Sequence, residues 1–136
     1  MMADTVSAIR ESSMIKSGAL GELAAMKHFL SLGYEAYTAV TDSSTYDIIL
    51  AKDGQLLRVE VKTTAARSRN NKGWVVHLKR VRPNKTQNKI HPFDSSRIDL
   101  LAVYITPLDR VVIFEARNLQ QRSTLSILDG QLATLS

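Results

Sequence analysis

Asp47, Glu60 and Lys62 are the residues whose types and spacing suit chemistry. They share one stretch, residues 46–63, which reads Tyr-Asp-Ile-Ile-Leu-Ala-Lys-Asp-Gly-Gln-Leu-Leu-Arg-Val-Glu-Val-Lys-Thr. Its Asp53-Gly54 is a two-residue turn signal, because the tight turns that join strands need positive φ. The stretch therefore predicts a β-hairpin with arms over 47–51 and 56–62. Side chains alternate along a strand, so Leu57, Val59 and Val61 share one face and Leu56, Arg58, Glu60 and Lys62 the other. Pairing across the turn brings Asp47 toward Glu60 and Lys62. Two carboxylates and an ammonium at one sheet edge suit a hard divalent cation such as Mg2+, which prefers carboxylate oxygens and keeps several waters.

Hydrolysis of a phosphodiester is the reaction such a set serves. It needs a nucleophilic water, a charge clamp on the phosphoryl oxygens and relief for the leaving oxygen. Asp47 and Glu60 are the expected direct metal ligands, with the Val61 backbone carbonyl between Glu60 and Lys62 as a third. Lys62 is expected to orient the water and stabilise developing negative charge. Glu22, on the helix ahead of the hairpin, is expected to reach the metal through water or to support a second ion. For Glu60 and Lys62 alone, a salt pair on a solvated strand is the competing account.

The rest of the chain must position these groups. Residues 17–32 carry Leu20, Leu23, Ala24, Lys27 and Leu30 at helical spacing, widened by Met26, with Ser17 as N-cap and Gly33 as the stop. That pattern predicts a helix with the leucine stripe facing the core and Glu22 at the edge of the stripe. Residues 34–40 read as a short strand, and 41–45 as a polar turn. Residues 63–72 read as a basic loop without apolar pattern, and 73–78 as a strand. Residues 79–97 read as a long basic loop. Residues 98–105 are almost continuously apolar and predict a buried central strand, followed by a turn at 106–109 and a returning strand at 110–115. The last twenty residues carry Leu119, Leu125, Ile127, Leu128, Leu132 and Leu135, read as a terminal helix or a subunit contact. The expected architecture is α/β: a mixed central sheet flanked by helices, in a single domain over residues 1–136.

Charge is unevenly placed. Residues 58–97 hold eleven Lys or Arg against two acids, while the remainder of the chain is acidic on balance. A segregated cationic segment points to a polyanion. Arg67, Arg69, Lys72, Lys79, Arg80, Arg82, Lys85 and Lys89 are the expected phosphate contacts, against the plain alternative of a solvated surface. The chain has no cysteine, which removes disulfides, thiolate catalysis and cysteine zinc sites. His28, His77 and His91 lack metal-ligand spacing. No apolar run is long enough to span a membrane, and no secretory leader pattern opens the chain, so a cytoplasmic location is expected.

The set Glu22, Asp47 and Glu60-Val-Lys62 resembles the PD-(D/E)XK nuclease superfamily. Glu22, within Gly-Glu-Leu-Ala-Ala, is placed as in its small resolvase-like and homing members. The likeness covers about residues 17–115 and is greatest to the group I intron-encoded homing endonucleases, with the archaeal Holliday junction resolvases second. The proline that names the motif is missing, since Tyr46 precedes Asp47. The resemblance implies a restriction-endonuclease-like core of about 17–115, Mg2+ as cofactor with Mn2+ able to replace it, and no organic cofactor. It implies cleavage of double-stranded DNA, or nicking of branched DNA, by a homodimer or homotetramer, with the C-terminal tail in a subunit interface. A non-catalytic DNA-binding protein on the same scaffold is the rival from another class. The intact Asp47, Glu60 and Lys62 set argues against it.

Overall fold

The computed structural model describes residues 14–41, 46–78, 80–82, 89–91, 93–120 and 123–134. Helix α1 (Met14–Ser31) leads into β1 (Glu35–Thr38), β2 (Ile48–Lys52) and β3 (Gln55–Thr64). There follow β4 (Gly73–His77), β5 (Arg80–Arg82), β6 (Lys89–His91), β7 (Leu100–Ile105), β8 (Arg110–Glu115), β9 (Thr124–Leu128) and the short helix α2 (Asp129–Leu132). The main sheet has five strands in the order β1-β2-β3-β7-β8. Only β3 and β7 run parallel, and the other pairs are antiparallel. The mixed sheet expected from the sequence is the one observed.

Asp53 and Gly54 both take positive φ, 51° and 79°, as the tight hairpin between β2 and β3 requires. The register pairs Ile48 with Val59 and Leu50 with Leu57, which puts four apolar side chains on one face. There they join Ala25, Phe29 and Ala102 in a core beneath α1. The opposite face, through Leu101, Val103, Ile105 and Val112, packs on Trp74, Val76, Leu125 and Ile127 of the β4–β9 pair. The protein is thus three layers, with the main sheet between a helix and a two-stranded sheet. Its central β7 is buried on both faces, which explains the unbroken apolar run of residues 101–105.

The end of α1 follows from Gly33. With φ at +90°, Gly33 donates to the Leu30 carbonyl and Tyr34 to that of Phe29. The Phe29 and Tyr34 rings meet edge to face, 6.0 Å between centroids. This is the glycine-terminated stop in which the residue after Gly packs back on the last turn.

Five expectations of the fold are corrected. The helix begins at Met14, so Ser17 lies inside it and caps nothing; Met14, Ile15 and Lys16 contain no breaker to end it sooner. The core-facing side of α1 is Gly21, Ala25 and Phe29, while Leu20, Leu23 and Leu30 are 55–61% exposed. Small residues face inward because the helix lies close on the sheet, and a side chain at Gly21 would collide with the Thr63 side chain. Residues 63 and 64 continue β3 rather than opening a loop. Of the C-terminal apolar residues, Leu125, Ile127 and Leu128 form β9 against β4, with Leu125 and Ile127 buried at alternate positions, while Leu132 ends the short helix α2 and Leu135 lies outside the described residues. In the long basic segment, β5 and β6 pair as a short antiparallel ribbon. Lys79 and Lys85 lie outside the described residues.

Phe29 is 1% exposed, whereas Leu56 is 69% exposed. Phe29→Ala is expected to lower unfolding stability by about 3–5 kcal/mol, and Leu56→Ala to change it by less than about 0.5 kcal/mol. Urea denaturation of the two variants measures both.

Candidate active site

Strand β2 ends opposite Val59, but β3 continues to Thr64. Past that point β3 keeps its β7 partner on one side only. Asp47 closes the other side. Its backbone N–H donates to the Val59 carbonyl at 3.0 Å, and its Oδ2 accepts the Val61 N–H at 2.7 Å. A side-chain carboxylate thus stands where a strand carbonyl would otherwise be. A backbone N–H left without an acceptor is costly.

This bond fixes the Asp47 carboxylate beside Val61, between Glu60 and Lys62 in the chain. Glu60 is 4% exposed, a strongly buried acid. The Lys62 Nζ lies 3.6 Å from Glu60 Oε1. Burying a carboxylate is expensive without compensating charge and hydrogen bonds, and this lysine is part of that compensation. Beyond it, Thr64 Oγ1 donates to the Val75 carbonyl at 2.6 Å and accepts the Ala66 N–H at 3.1 Å, tying the end of β3 to β4. By strand alternation Glu60, Lys62 and Thr64 look toward the β4–β9 layer, and Val59 and Val61 toward α1.

Asp47, Glu60 and Lys62 are therefore brought together as the hairpin pattern implied. Glu22 is half-buried on α1, one residue from the Gly21 that abuts Thr63. Its turn of α1 meets the same end of β3 from the helix layer, opposite the face of Glu60 and Lys62. Among the described residues, no three His, Asp or Glu side chains cluster as a ready metal cage. The oxygen donors there whose chemistry suits a hard cation are the carboxylates of Asp47 and Glu60.

The basic residues divide. Arg67 is committed within the chain: it holds Asp129 with two bonds of 2.8 Å, donates to Asn71 and stacks 4.7 Å from the Trp74 ring centroid. It joins the end of β3 to the start of α2, a structural tie rather than the phosphate contact expected. Arg69 and Lys72 are exposed on the loop 68–72. Ser68 and Asn70 side chains accept the Lys72 N–H there, and Ser68 also accepts that of Gly73. Arg80, Arg82 and Lys89 occupy the β5–β6 ribbon, in the register Arg80 with His91, Val81 with Ile90 and Arg82 with Lys89.

One polar anchor escaped the sequence reading. Asp99 accepts the Arg58 backbone N–H at 2.7 Å and its guanidinium at 3.1 and 3.3 Å, and its own N–H returns to the Arg58 carbonyl. This clamps the start of β7 to β3, setting the parallel register on which Glu60 depends. The signal was a lone acid inside the apolar run 98–105, which must find a partner to be tolerated there.

A five-stranded mixed sheet with α1 on one face and an acid-acid-lysine set at a strand end is a restriction-endonuclease-like fold. Residues 13–131 match the family model of the PD-(D/E)XK endonuclease, and the chain belongs to that family. Among solved structures it is similar to the bacterial homing endonuclease I-Ssp6803I, with a TM-score of 0.76 and 22% identity over 87% of this chain and 80% of that one. A comparison with curated proteins finds no match.

Hydrogen bonds from Arg58 hold the Asp99 carboxyl below the usual carboxylate range, and those from Arg67 do the same for Asp129. Both acids are depressed in the folded state, so their stabilisation is present above the unfolded pKa of about 3.9 and lost as pH falls through the lower folded values. Melting temperature is expected to drop on acidification below about pH 4, and the drop to be shallower in Asp99→Asn, measured by thermal melts across that range.

Proposed function

We propose that this chain is a Mg2+-dependent endodeoxyribonuclease that cuts double-stranded DNA at defined sites, in the manner of a homing endonuclease. The observation that carries this reading is the Asp47 carboxylate pinned 2.7 Å from the Val61 N–H, beside the buried Glu60 and its Lys62. A solvated salt pair needs neither the burial of Glu60 nor an aspartate held at the adjacent backbone. The family and the homing endonuclease to which the fold is similar support the same direction.

Asp47 and Glu60, with the Val61 carbonyl, would hold the metal, and Glu22 would approach it through water from the α1 side. When bound, Mg2+ supplies a more acidic water and a positive charge against the phosphoryl oxygens. Lys62 would orient the attacking water and meet the negative charge that grows on the phosphate, where a preformed cation is most effective. Asp47 has a second duty, since its bond to Val61 holds the ligand set in place without a metal.

Phosphate contacts fall to Arg69 and Lys72 near the site and to the segment of Lys79, Arg80, Arg82, Lys85 and Lys89. These contacts position the duplex but do not read sequence. A two-stranded ribbon has the width to enter the major groove, where each base pair shows a distinct pattern. The β5–β6 ribbon, with three Arg or Lys among its six positions and His91 at a fourth, is the element suited to that reading.

Lys62→Ala is expected to slow DNA cleavage in Mg2+ by roughly 100-fold or more while leaving DNA binding within about a factor of three. Undiminished cleavage overturns the role given to Lys62. The same preparation should bind DNA far more weakly as salt rises, through counterion release. A flat salt response in a filter-binding or anisotropy titration removes the basic segment from the interface.

A further inference from the structure

Loop 68–72 carries two cations on a frame that is tied down on every side. At its base the Val75 N–H donates to the Ala66 carbonyl, Arg67 pairs with Trp74 in an antiparallel bridge, and the Ser68 N–H donates to the Gly73 carbonyl. At its tip Asn71 takes a φ of 57°, a left-handed conformation uncommon outside glycine. On its far side the Lys72 carbonyl accepts the Asp129 N–H, which joins the loop to the end of β9. Arg69 and Lys72 are exposed on this frame, and among the described residues no carboxylate pairs with either.

The half-buried Arg67 guanidinium is the centre of the frame. Its Nε donates to the Asn71 side-chain oxygen at 2.9 Å and its Nη2 to the Asn71 carbonyl, while Nη1 and Nη2 each reach Asp129 at 2.8 Å. Four of its five N–H donors are thus committed, and its flat face lies on Trp74. Only a planar fork serves Asn71 and Asp129 together, since a lysine ammonium is a point charge on a flexible stem. Arg67 therefore has no donors to spare for a phosphate, but it fixes the loop that carries two cations which do.

We propose that Arg67 is a positioning residue for DNA binding: without touching the nucleic acid, it holds loop 68–72 so that Arg69 and Lys72 meet backbone phosphates already in place. The inference rests on the reading of this chain as a DNA endonuclease. The loop belongs to the β4–β9 layer, toward which Glu60 and Lys62 look. Arg69 follows Lys62 by seven residues, so the two lie within about 23 Å of each other. A duplex advances about 3.4 Å per base pair, so one bound duplex spans both, with the loop on phosphates up to about seven base pairs from the cut. A loop ordered beforehand loses no further freedom when the duplex arrives, which is how a group that never meets the ligand raises affinity.

Anisotropy titrations of a labelled duplex with the full chain, repeated over a range of salt, test it. Arg67→Lys keeps the charge and loses the fork. It should weaken binding roughly tenfold and lower the slope of log affinity against log salt by up to about two, because each phosphate contact contributes about one. Arg69→Ser with Lys72→Ser should do the same, and adding Arg67→Lys to that pair should change binding no further. Asp129→Asn makes the chain more basic, which by charge alone tightens DNA binding, yet by loosening Arg67 it should weaken it. That variant carries the test if circular dichroism shows Arg67→Lys unfolded. Arg117→Lys, at an exposed pair with Glu115, should leave binding unchanged. Wild-type affinity and slope in Arg67→Lys overturn the proposal. So does an Arg67→Lys effect that persists in full on the Arg69→Ser, Lys72→Ser background, or tighter binding by Asp129→Asn. A wild type whose binding ignores salt overturns the DNA reading of the basic segment, and this inference with it.

Discussion

The hydrogen bond from the Val61 N–H to Asp47 Oδ2 is the constraint from which the site follows. It exists because β2 stops opposite Val59 while β3 runs on to Thr64. A strand that outlasts its neighbour exposes backbone donors, and a buried donor must find an acceptor. Aspartate supplies one with a charged oxygen, which makes the bond stronger than a carbonyl would. The same placement sets a carboxylate beside Glu60. What reads as backbone repair is thereby also the means of gathering two acids at one place.

Glu60 itself depends on what lies farther out. It is buried because β3 is sandwiched, with α1 over Val59 and Val61 and the β4–β9 layer over the other face. The Arg58–Asp99 clamp fixes the parallel register of β3 and β7, and the Thr64 bond to Val75 fixes the approach of β4. Arg67, held by Asp129 and stacked on Trp74, closes the far end of that second layer. The charged residues near the site thus divide between those that hold it together and those left exposed. Arg58 and Arg67 belong to the first group, Arg69 and Lys72 to the second.

Local patterns were the legible part of this fold. The Asp-Gly turn, strand alternation in 56–62 and the strand at 110–115 each follow from chemistry within a few residues, and so does the stop at Gly33. The candidate site was legible for the same reason, since Asp47, Glu60 and Lys62 sit on one hairpin. What the sequence hid was nonlocal. The pairing of β9 with β4 joins segments about fifty residues apart, and its alternation of Thr, Leu, Ser, Ile and Leu was masked by neighbouring leucines. The inward face of α1 was hidden by its own closeness to the sheet: contact that tight selects Gly21 and Ala25, and leucine is too large for it. Ranking residues by hydrophobicity therefore chose the wrong side, and the exposed leucines became intelligible only once the helix was seen in place.

The central claim is that the open end of β3 is a hard-cation site built on Asp47 and Glu60. Binding of Mn2+, followed by electron paramagnetic resonance in the wild type and in Asp47→Asn, tests it most directly. The account predicts bound Mn2+ in the wild type and its loss in Asp47→Asn, where the amide keeps an acceptor for Val61 but removes the charge. Equal Mn2+ binding by the two proteins would contradict it.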